Sequence, residues 1–279
     1  MSFLLSELAS AFNKKSFENM LHGDFTHLKK MDAYFFDNKS ITLGEFYDKS
    51  YKLLSRKYKN EYVFKNTIAR KIVIGKHKLA NVSVFSEFKI WNKYVDLLVV
   101  NGTTTAYEIK TEFDSYSRLK DQLLVYVKAF EYVNLVIPQH KFSSDLVAKI
   151  PSTVGVLTLT DRNTLYQERV AISNKKNLSA EMIFSCMRKN EYINIIEDRF
   201  GELPSVKNLY MRSACLDAFT KLSTDELATY FRDTLKQRNP LVEYRDYLKQ
   251  VPYSMHCMFL CEKSKNVEKI IDMANTQLY

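Results

Sequence analysis

Residues 94–111 read YVDLLVVNGTTTAYEIKT, and this stretch decides the fold. Two runs rich in apolar and β-branched residues flank an Asn-Gly dipeptide at 101–102, which is a strong signal for the turn of a β-hairpin. The first run contains one charged residue, Asp96, and the second carries Glu108 and Lys110. We therefore predict an antiparallel hairpin with three charged side chains near its centre.

The length of the turn decides which of these side chains share a face. Glu108 and Lys110 must do so, because side chains alternate along a strand. A two-residue turn would pair Val100 with Thr103 and would place Tyr107 opposite Asp96, with Glu108 on the other face.

A three-residue loop, 101–103, instead places Asp96 directly opposite Glu108. A slip of one residue moves every side chain of a strand to the other face, so the two registers exclude one another. We predict the three-residue register, with Gly102 or Thr103 in an unusual turn conformation.

Two facing carboxylates need a compensating positive charge. At about 4 Å they repel by roughly 4 kcal/mol at an effective dielectric constant of about 20. A hard divalent cation offers that charge, and Mg²⁺ is usually held by one or two carboxylates together with substrate phosphate. Lys110 adds a fixed positive charge that could orient a water or stabilise a pentavalent phosphorane.

The alternative is an edge hairpin whose Glu108 and Lys110 are simply solvated. Against it, the run 94–100 has the composition of a strand that is buried on both faces. A lone aspartate inside such a run needs a partner. We therefore favour a metal-binding arrangement.

An aspartate followed by Glu-x-Lys on the next strand resembles the PD-(D/E)XK restriction-endonuclease-like superfamily. The matching residues are Asp96 and 108–110, while Val95 stands where the superfamily's name has proline, a departure that removes no ligand. Downstream, Gln122 and Tyr126 have the spacing of the QxxxY element of the RecB- and Cas4-like branch. The D…ExK pattern is weak by itself and gains specificity from the hairpin and the following helix.

The resemblance, which covers about residues 57–171, implies a metal-dependent phosphodiesterase that acts on nucleic acid. It implies that Asp96, Glu108 and the Ile109 carbonyl hold Mg²⁺ or Mn²⁺, and that Lys110 positions or helps to deprotonate the attacking water. Gln122 and Tyr126 would face the metal and the nucleic acid.

Two further acidic residues are candidates for the same site. Members of the superfamily often bring an acid from a first core helix, and Glu61 matches by position, on the same helical face as Ile68. Glu87 lies in a predicted strand, 81–91, in which Val82, Val84, Phe88 and Ile90 alternate. Glu61 could equally be an ordinary salt-bridge residue, and Glu87 a surface glutamate.

The chain is basic, with 41 Lys and Arg against 32 Asp and Glu and a net charge of +9. Nine of the basic residues fall in Lys52–Lys78, where Glu61 is the one acid. Interleaved aromatic residues make this stretch suited to contact with a phosphate backbone, although an ordinary solvated face would look similar. The candidate substrate-binding residues are Lys65, Arg70, Lys71, Arg118 and Tyr126.

The fold predicted from these patterns is α/β (α+β), with a mixed sheet flanked by helices. We divide the chain into an N-terminal helical segment (1–56), a nuclease-like core (57–172) and a C-terminal helical region (173–279). The C-terminal region would frame the substrate groove or mediate contact with a second copy or a partner protein. The predicted elements are helices over 2–12, 42–57, 116–131, 143–149 and 223–238, and strands over 81–91, 94–100, 105–111, 132–138, 153–159 and 165–172.

Composition narrows the remaining possibilities. A hydrophobic content of 46% supports a substantial core, and no apolar run reaches the 18 residues of a membrane span. The four cysteines lack zinc-site spacing, so we expect reduced thiols in a cytoplasmic protein.

The function that these patterns favour is a Mg²⁺-dependent deoxyribonuclease. The alternative is a catalytically inactive nuclease fold that serves as a nucleic-acid-binding or protein-interaction module in a bacterial or phage-defence system.

Overall fold

The computed structural model describes residues 2–77, 81–239, 247–262 and 266–279, so Lys78 of the basic stretch lies outside the described residues. Helices alternate with strands in the middle of the chain and dominate at both ends. The helices are α1 (Ser2–Ser10), α2 (Lys14–Leu21), α3 (Thr26–Phe36), α4 (Leu43–Lys57), α5 (Glu61–Ile68), α6 (Leu119–Tyr126), α7 (Ser144–Lys149), α8 (Ala180–Ser185), α9 (Lys189–Phe200), α10 (Asn208–Phe219), α11 (Thr224–Arg238), α12 (His256–Cys261) and α13 (Val267–Asn275). The strands are β1 (Ser83–Ile90), β2 (Lys93–Val100), β3 (Thr104–Ile109), β4 (Tyr132–Pro138), β5 (Gly155–Leu159) and β6 (Leu165–Arg169).

The six strands form one mixed sheet in the order β1-β2-β3-β4-β5-β6. The first three strands are antiparallel, β3, β4 and β5 are parallel, and β6 returns antiparallel to β5. Each parallel step contains a helix, α6 or α7, because parallel neighbours need a crossover connection. The predicted α/β class and the predicted order of strands and helices are confirmed.

The hairpin has the three-residue loop that the sequence predicts. Val100 pairs with Thr104, and the ladder runs back to Leu97 opposite Tyr107, which brings Asp96 and Glu108 to facing positions. The prediction of an unusual backbone at Gly102 or Thr103 was wrong, because neither has a positive φ.

The loop closes through an asparagine side chain instead. The Asn101 side-chain oxygen accepts a hydrogen bond from the Thr103 backbone N–H at 3.2 Å, and the Asn101 N–H donates to the Thr103 carbonyl at 3.1 Å. Such Asx turns hold a chain reversal without requiring a left-handed residue.

A kink at Glu87 reverses the face of the sheet towards which the side chains of β1 point. Glu87 has φ 53°, a conformation that L-residues other than glycine rarely adopt. Val84 packs into the core on one face of the sheet, whereas Phe88 and Ile90 pack into the core on the other. The prediction that these three side chains share a face was wrong, since the left-handed residue interrupts the alternation.

Helix α6 is shorter than the predicted 116–131. At its start, the Ser115 hydroxyl accepts a hydrogen bond from the Ser117 N–H (3.3 Å), which competes with helix formation. At its end, the Ala129 N–H donates to Tyr126 three residues back, so the chain turns off there. The predicted starts of α4 and α11 are confirmed, with Thr42 and Ser223 accepting from the backbone N–H three residues on.

Each face of the sheet is covered by its own group of helices. The apolar core on one face draws on α1–α5, α12 and α13, and the core on the other draws on α6 and α8–α11. The two terminal regions meet on the first face, where the Leu43 N–H donates to the Thr276 carbonyl (3.0 Å). Both terminal regions therefore pack against the central sheet, and the division at residues 56 and 172 stays a prediction. In the part of the chain that the structure describes, no helix combines the length and apolar character needed to cross a bilayer.

Candidate active site

A cluster of charged side chains lies where β2 and β3 separate, beyond the last paired residues, Leu97 and Tyr107. We call it the carboxylate cluster. It contains four carboxyl groups and two ammonium groups: Glu61, Glu87, Asp96 and Glu108 with Lys65 and Lys110.

Asp96 is at the centre of the cluster and is tied to β3. Its Oδ2 accepts a hydrogen bond from the Ile109 backbone N–H at 2.6 Å, where a regular ladder would have used a backbone carbonyl. Burial raises the pKa of the Asp96 carboxyl well above its usual value, and the charges on Glu108 and Glu61 raise it further. Ionised Asp96 therefore lacks full compensation from the protein alone.

Glu108 is 1% exposed, and only one of its two carboxylate oxygens forms an ion pair. Lys110 Nζ donates to Glu108 Oε1 at 2.7 Å. The other oxygen, Oε2, is buried and has no hydrogen-bond partner among the described residues. Burial raises the pKa of the Glu108 carboxyl, and the Lys110 ammonium together with the nearby Tyr126 hydroxyl only partly opposes that rise.

Lys65 forms the second ion pair of the cluster. Its Nζ lies 2.5 Å from Glu61 Oε1 and 3.7 Å from Glu87 Oε1, and it donates to Ser86 Oγ at 3.0 Å. Burial lowers the pKa of the Lys65 ammonium, but Glu61 and Asp96 outweigh it and leave the pKa raised. The Lys65 side chain is buried and paired with Glu61, and its predicted contact with a substrate phosphate stays a prediction.

Glu61 reaches the cluster as the sequence predicts, although its face differs from that of Ile68. Ile68 is fully buried, while the Glu61 side chain is half exposed and pairs with Lys65 one turn along α5. The i, i+4 spacing of Glu61 and Lys65 was the sequence signal for this ion pair. Its charge acts on both Asp96 and Glu108.

The QxxxY pair lies beside the carboxylates. Tyr126 is fully buried, and its hydroxyl donates to the Tyr94 carbonyl at 2.6 Å. Burial raises the pKa of Tyr126, and the charges on Glu108 and Asp96 add to the rise, whereas Gln122 opposes it. The structure thus brings Gln122 and Tyr126 to the cluster.

The other candidate substrate-binding residues lie at the surface. Arg70 and Lys71 are exposed in a π-helical stretch that continues α5, and Arg118 is exposed at the start of α6. The Arg70 guanidinium lies over the Tyr253 ring, 5.0 Å from its centroid. Phosphate contact by these three residues stays a prediction.

The donor set fits a hard cation that takes few of its ligands from the protein. Within the described residues, no three His, Cys, Asp or Glu side chains converge into a ready ligand set. Two carboxylates do face each other, and one has a buried oxygen without a partner. Mg²⁺ is commonly held by one or two carboxylates with waters and phosphate supplying the remaining ligands. A role for the Ile109 carbonyl or for Glu87 as a ligand stays a prediction.

The fold and the cluster define an α/β protein with acidic and lysine side chains gathered at the splayed strands of a mixed sheet. The chain belongs to the family described as Bacteriophage P4 protein cII, whose family model matches residues 55–251. Protein cII of Enterobacteria phage P4 is 28% identical over 173 residues, which cover 58% of this chain and 62% of the phage protein. The chain therefore matches less than two thirds of that relative's length.

No solved structure matches this chain. The family match takes in the whole carboxylate cluster and the QxxxY pair, while α1–α3, α12 and α13 lie outside the matched residues. The cluster is thus part of the region that the family shares.

Proposed function

We propose that this protein is a metal-dependent nuclease that hydrolyses phosphodiester bonds of DNA at the carboxylate cluster. The observation that carries the proposal is the environment of Glu108. A buried carboxylate with one oxygen on Lys110 and the other without a partner, facing Asp96, is costly to keep ionised unless a cation joins it.

The arrangement of elements supports the same proposal. A helix, three antiparallel strands, a second helix and a parallel strand carry the acidic residues and the QxxxY pair. This is the order expected from the resemblance to the PD-(D/E)XK superfamily. The net charge of +9 suits a polyanionic substrate.

Asp96 and Glu108 would hold Mg²⁺ or Mn²⁺ at this site. Such an ion supplies Lewis-acid polarisation of the scissile phosphate and lowers the pKa of a coordinated water. Lys110 would keep its ammonium next to Glu108 and donate a hydrogen bond that positions the attacking water. Tyr126 and Gln122 would fix the backbone at Tyr94 and orient the phosphate.

The test is cleavage by purified protein. Plasmid, linear duplex, single-stranded DNA and RNA are incubated with Mg²⁺, with Mn²⁺ or with EDTA. We expect DNA cleavage that requires the metal and that Asp96→Asn and Lys110→Met each abolish. Glu112→Gln is the matched control, since Glu112 is an exposed acid two residues beyond Lys110 and should be dispensable.

Two results would contradict the proposal. One is the absence of cleavage by the wild type under every metal. The other is cleavage that persists in both cluster variants, which would place the chemistry elsewhere or in a contaminant.

A second candidate function is a nucleic-acid-binding module that does not cut. It is favoured by the two ion pairs, Glu61–Lys65 and Glu108–Lys110, which already neutralise half of the carboxylates. Salt-dependent binding of DNA by the wild type, with no turnover under any metal, would select this candidate.

A further inference from the structure

The tip of the β1–β2 hairpin exposes two aromatic side chains, and the second of them lies on the strand that leads to the carboxylate cluster. Trp91 and Tyr94 are 54% and 55% exposed. Tyr94 lies two residues from Asp96, about 7 Å along an extended strand. Its carbonyl is held by Tyr126, the same side chain that lies beside Glu108. The aromatic tip is thus fixed relative to the cluster.

The backbone at the tip is strained and is braced from outside. Trp91 occupies the turn between Ile90 and Lys93 with φ 52°, which is unfavourable for a bulky residue. Its backbone N–H donates to the Ser185 hydroxyl of α8 at 3.2 Å. This hydrogen bond from α8 helps to hold an exposed tryptophan in an unfavourable backbone conformation.

Positive charge accompanies the aromatic rings. Lys89 is paired across the hairpin with Tyr94, on the face opposite the buried Phe88–Val95 pair, and is exposed. Lys93 is half-buried and directly precedes Tyr94. Neither lysine has a carboxylate partner among the described salt bridges.

We propose that the hairpin tip is a stacking platform for unpaired bases, so that the nucleic acid entering the carboxylate cluster is single-stranded. Trp91 and Tyr94 stack on successive bases, while Lys89 and Lys93 bind the neighbouring phosphates. Aromatic rings interleaved with basic side chains are the usual means of binding single strands without sequence preference, because every base has a π-face. A duplex keeps its base faces stacked internally and does not offer them to the platform. This inference rests on the proposed function in that the ligand is a nucleic acid.

Trp91 is the one tryptophan of the chain, so its fluorescence reports on the platform directly. The probe is a single-stranded oligothymidylate, titrated in EDTA so that cleavage plays no part. We expect saturable quenching that weakens as salt rises. A blunt duplex of the same length should bind at least about tenfold more weakly.

Variants distinguish stacking of the aromatic rings on the bases from general electrostatic attraction to the phosphates. Affinity is measured by polarisation of a dye-labelled oligothymidylate, which does not need the tryptophan. Tyr94→Ala and Trp91→Ala should each weaken binding by about tenfold, whereas Tyr94→Phe keeps the ring and should retain affinity. Tyr166→Ala is the matched control, because Tyr166 is 53% exposed on β6 at the opposite edge of the sheet. Circular dichroism melting confirms that each variant folds.

The outcomes separate this inference from the nuclease proposal. Equal affinity of the Trp91, Tyr94 and Tyr166 variants would overturn the platform even if the wild type cleaves DNA. Quenching without cleavage would leave the platform in place and would remove the nuclease. A change in tryptophan emission with protein concentration alone, together with dimers in sedimentation, would instead make the tip an interface between copies and would overturn the inference.

Discussion

Replacing Asp96 by asparagine should make the protein more stable while it removes activity. The substitution keeps the size of the side chain and keeps an oxygen to accept the 2.6 Å hydrogen bond from the Ile109 N–H. It removes one of two facing carboxylates in a cluster where burial and like charge already raise the pKa of Asp96. The cation that would offset the charge is absent from a metal-free preparation, so the wild type bears the repulsion in full.

The magnitude follows from the separation of the two carboxyl groups. Asp96 and Glu108 lie one step beyond the last paired residues, Leu97 and Tyr107, and a regular antiparallel pair would place their Cβ atoms about 5 Å apart, which sets the upper end of the repulsion. At an effective dielectric constant of about 20, two unit charges at that separation repel by roughly 3 kcal/mol. Loss of the charge-assisted hydrogen bond to Ile109 reduces this gain in stability by about 1 kcal/mol. Loss of the attraction to Lys65 reduces the gain further. The net gain should be about 1–2 kcal/mol, which raises the melting temperature by about 2–5 °C for a chain of this size.

The stability gained by Asp96→Asn should increase with pH. Because the folded-state pKa of Asp96 is raised, the folded protein binds this proton more readily than the unfolded chain. The repulsion therefore lowers the stability of the wild type by its full amount above the folded-state pKa of Asp96. It has no effect below the unfolded-state pKa of about 3.9. The advantage of Asp96→Asn should be largest at pH 8 and should shrink as the pH falls towards 4.

Thermal unfolding in EDTA from pH 4 to pH 8, followed by circular dichroism, measures this difference. Asp272→Asn, an exposed aspartate on α13, is the control and should show no comparable pH dependence. An Asp96→Asn protein that is less stable than the wild type at pH 8, or equally stabilised at pH 4 and pH 8, would refute the reasoning.

Three further predictions concern other parts of the molecule. Lys110→Met leaves the buried Glu108 carboxylate without its ion-pair partner and should cost about 3 kcal/mol at pH 8. Because burial raises the pKa of Glu108, urea unfolding should show that this loss shrinks as the pH falls towards the ordinary glutamate range, and a loss that stays constant would contradict it. Glu87→Gly relieves the backbone strain of the positive φ of 53° and should raise the free energy of unfolding, measured in urea, by about 1 kcal/mol. A lower free energy of unfolding would show that the Glu87 carboxylate stabilises the protein by more than the strain costs. Ser223→Ala removes the N-terminal hydrogen bond to the Glu226 N–H of α11 and should cost about 1 kcal/mol by the same measurement, which an unchanged midpoint would disprove.

The register of the central hairpin could be predicted from its turn and from the metal site that the three charged residues suggested. The Asn-Gly turn places the reversal, and of the two registers only the three-residue loop lets Asp96 face Glu108. Capping at Thr42 and Ser223 was equally local, which is why the starts of α4 and α11 were predicted correctly.

The kink at Glu87 could not be predicted, because nothing in the sequence of β1 disfavours regular alternation. The left-handed residue lies against α5, where Lys65 contacts both Ser86 and Glu87, and such tertiary contacts are not visible in the sequence of the strand. The burial of Lys65 was missed for a related reason. Its sequence neighbourhood is basic, and charge density alone gave no sign that one lysine of the stretch turns inward.

The central claim is that Asp96 and Glu108 together hold a divalent cation. Anomalous scattering from crystals soaked in Mn²⁺ at pH 8 tests it directly. The account predicts one strong peak within bonding distance of a carboxylate oxygen of each residue, including Glu108 Oε2, and no peak there in Asp96→Asn crystals. Wild-type crystals with no peak between these two carboxylates, or with an equal peak in the variant, would contradict it.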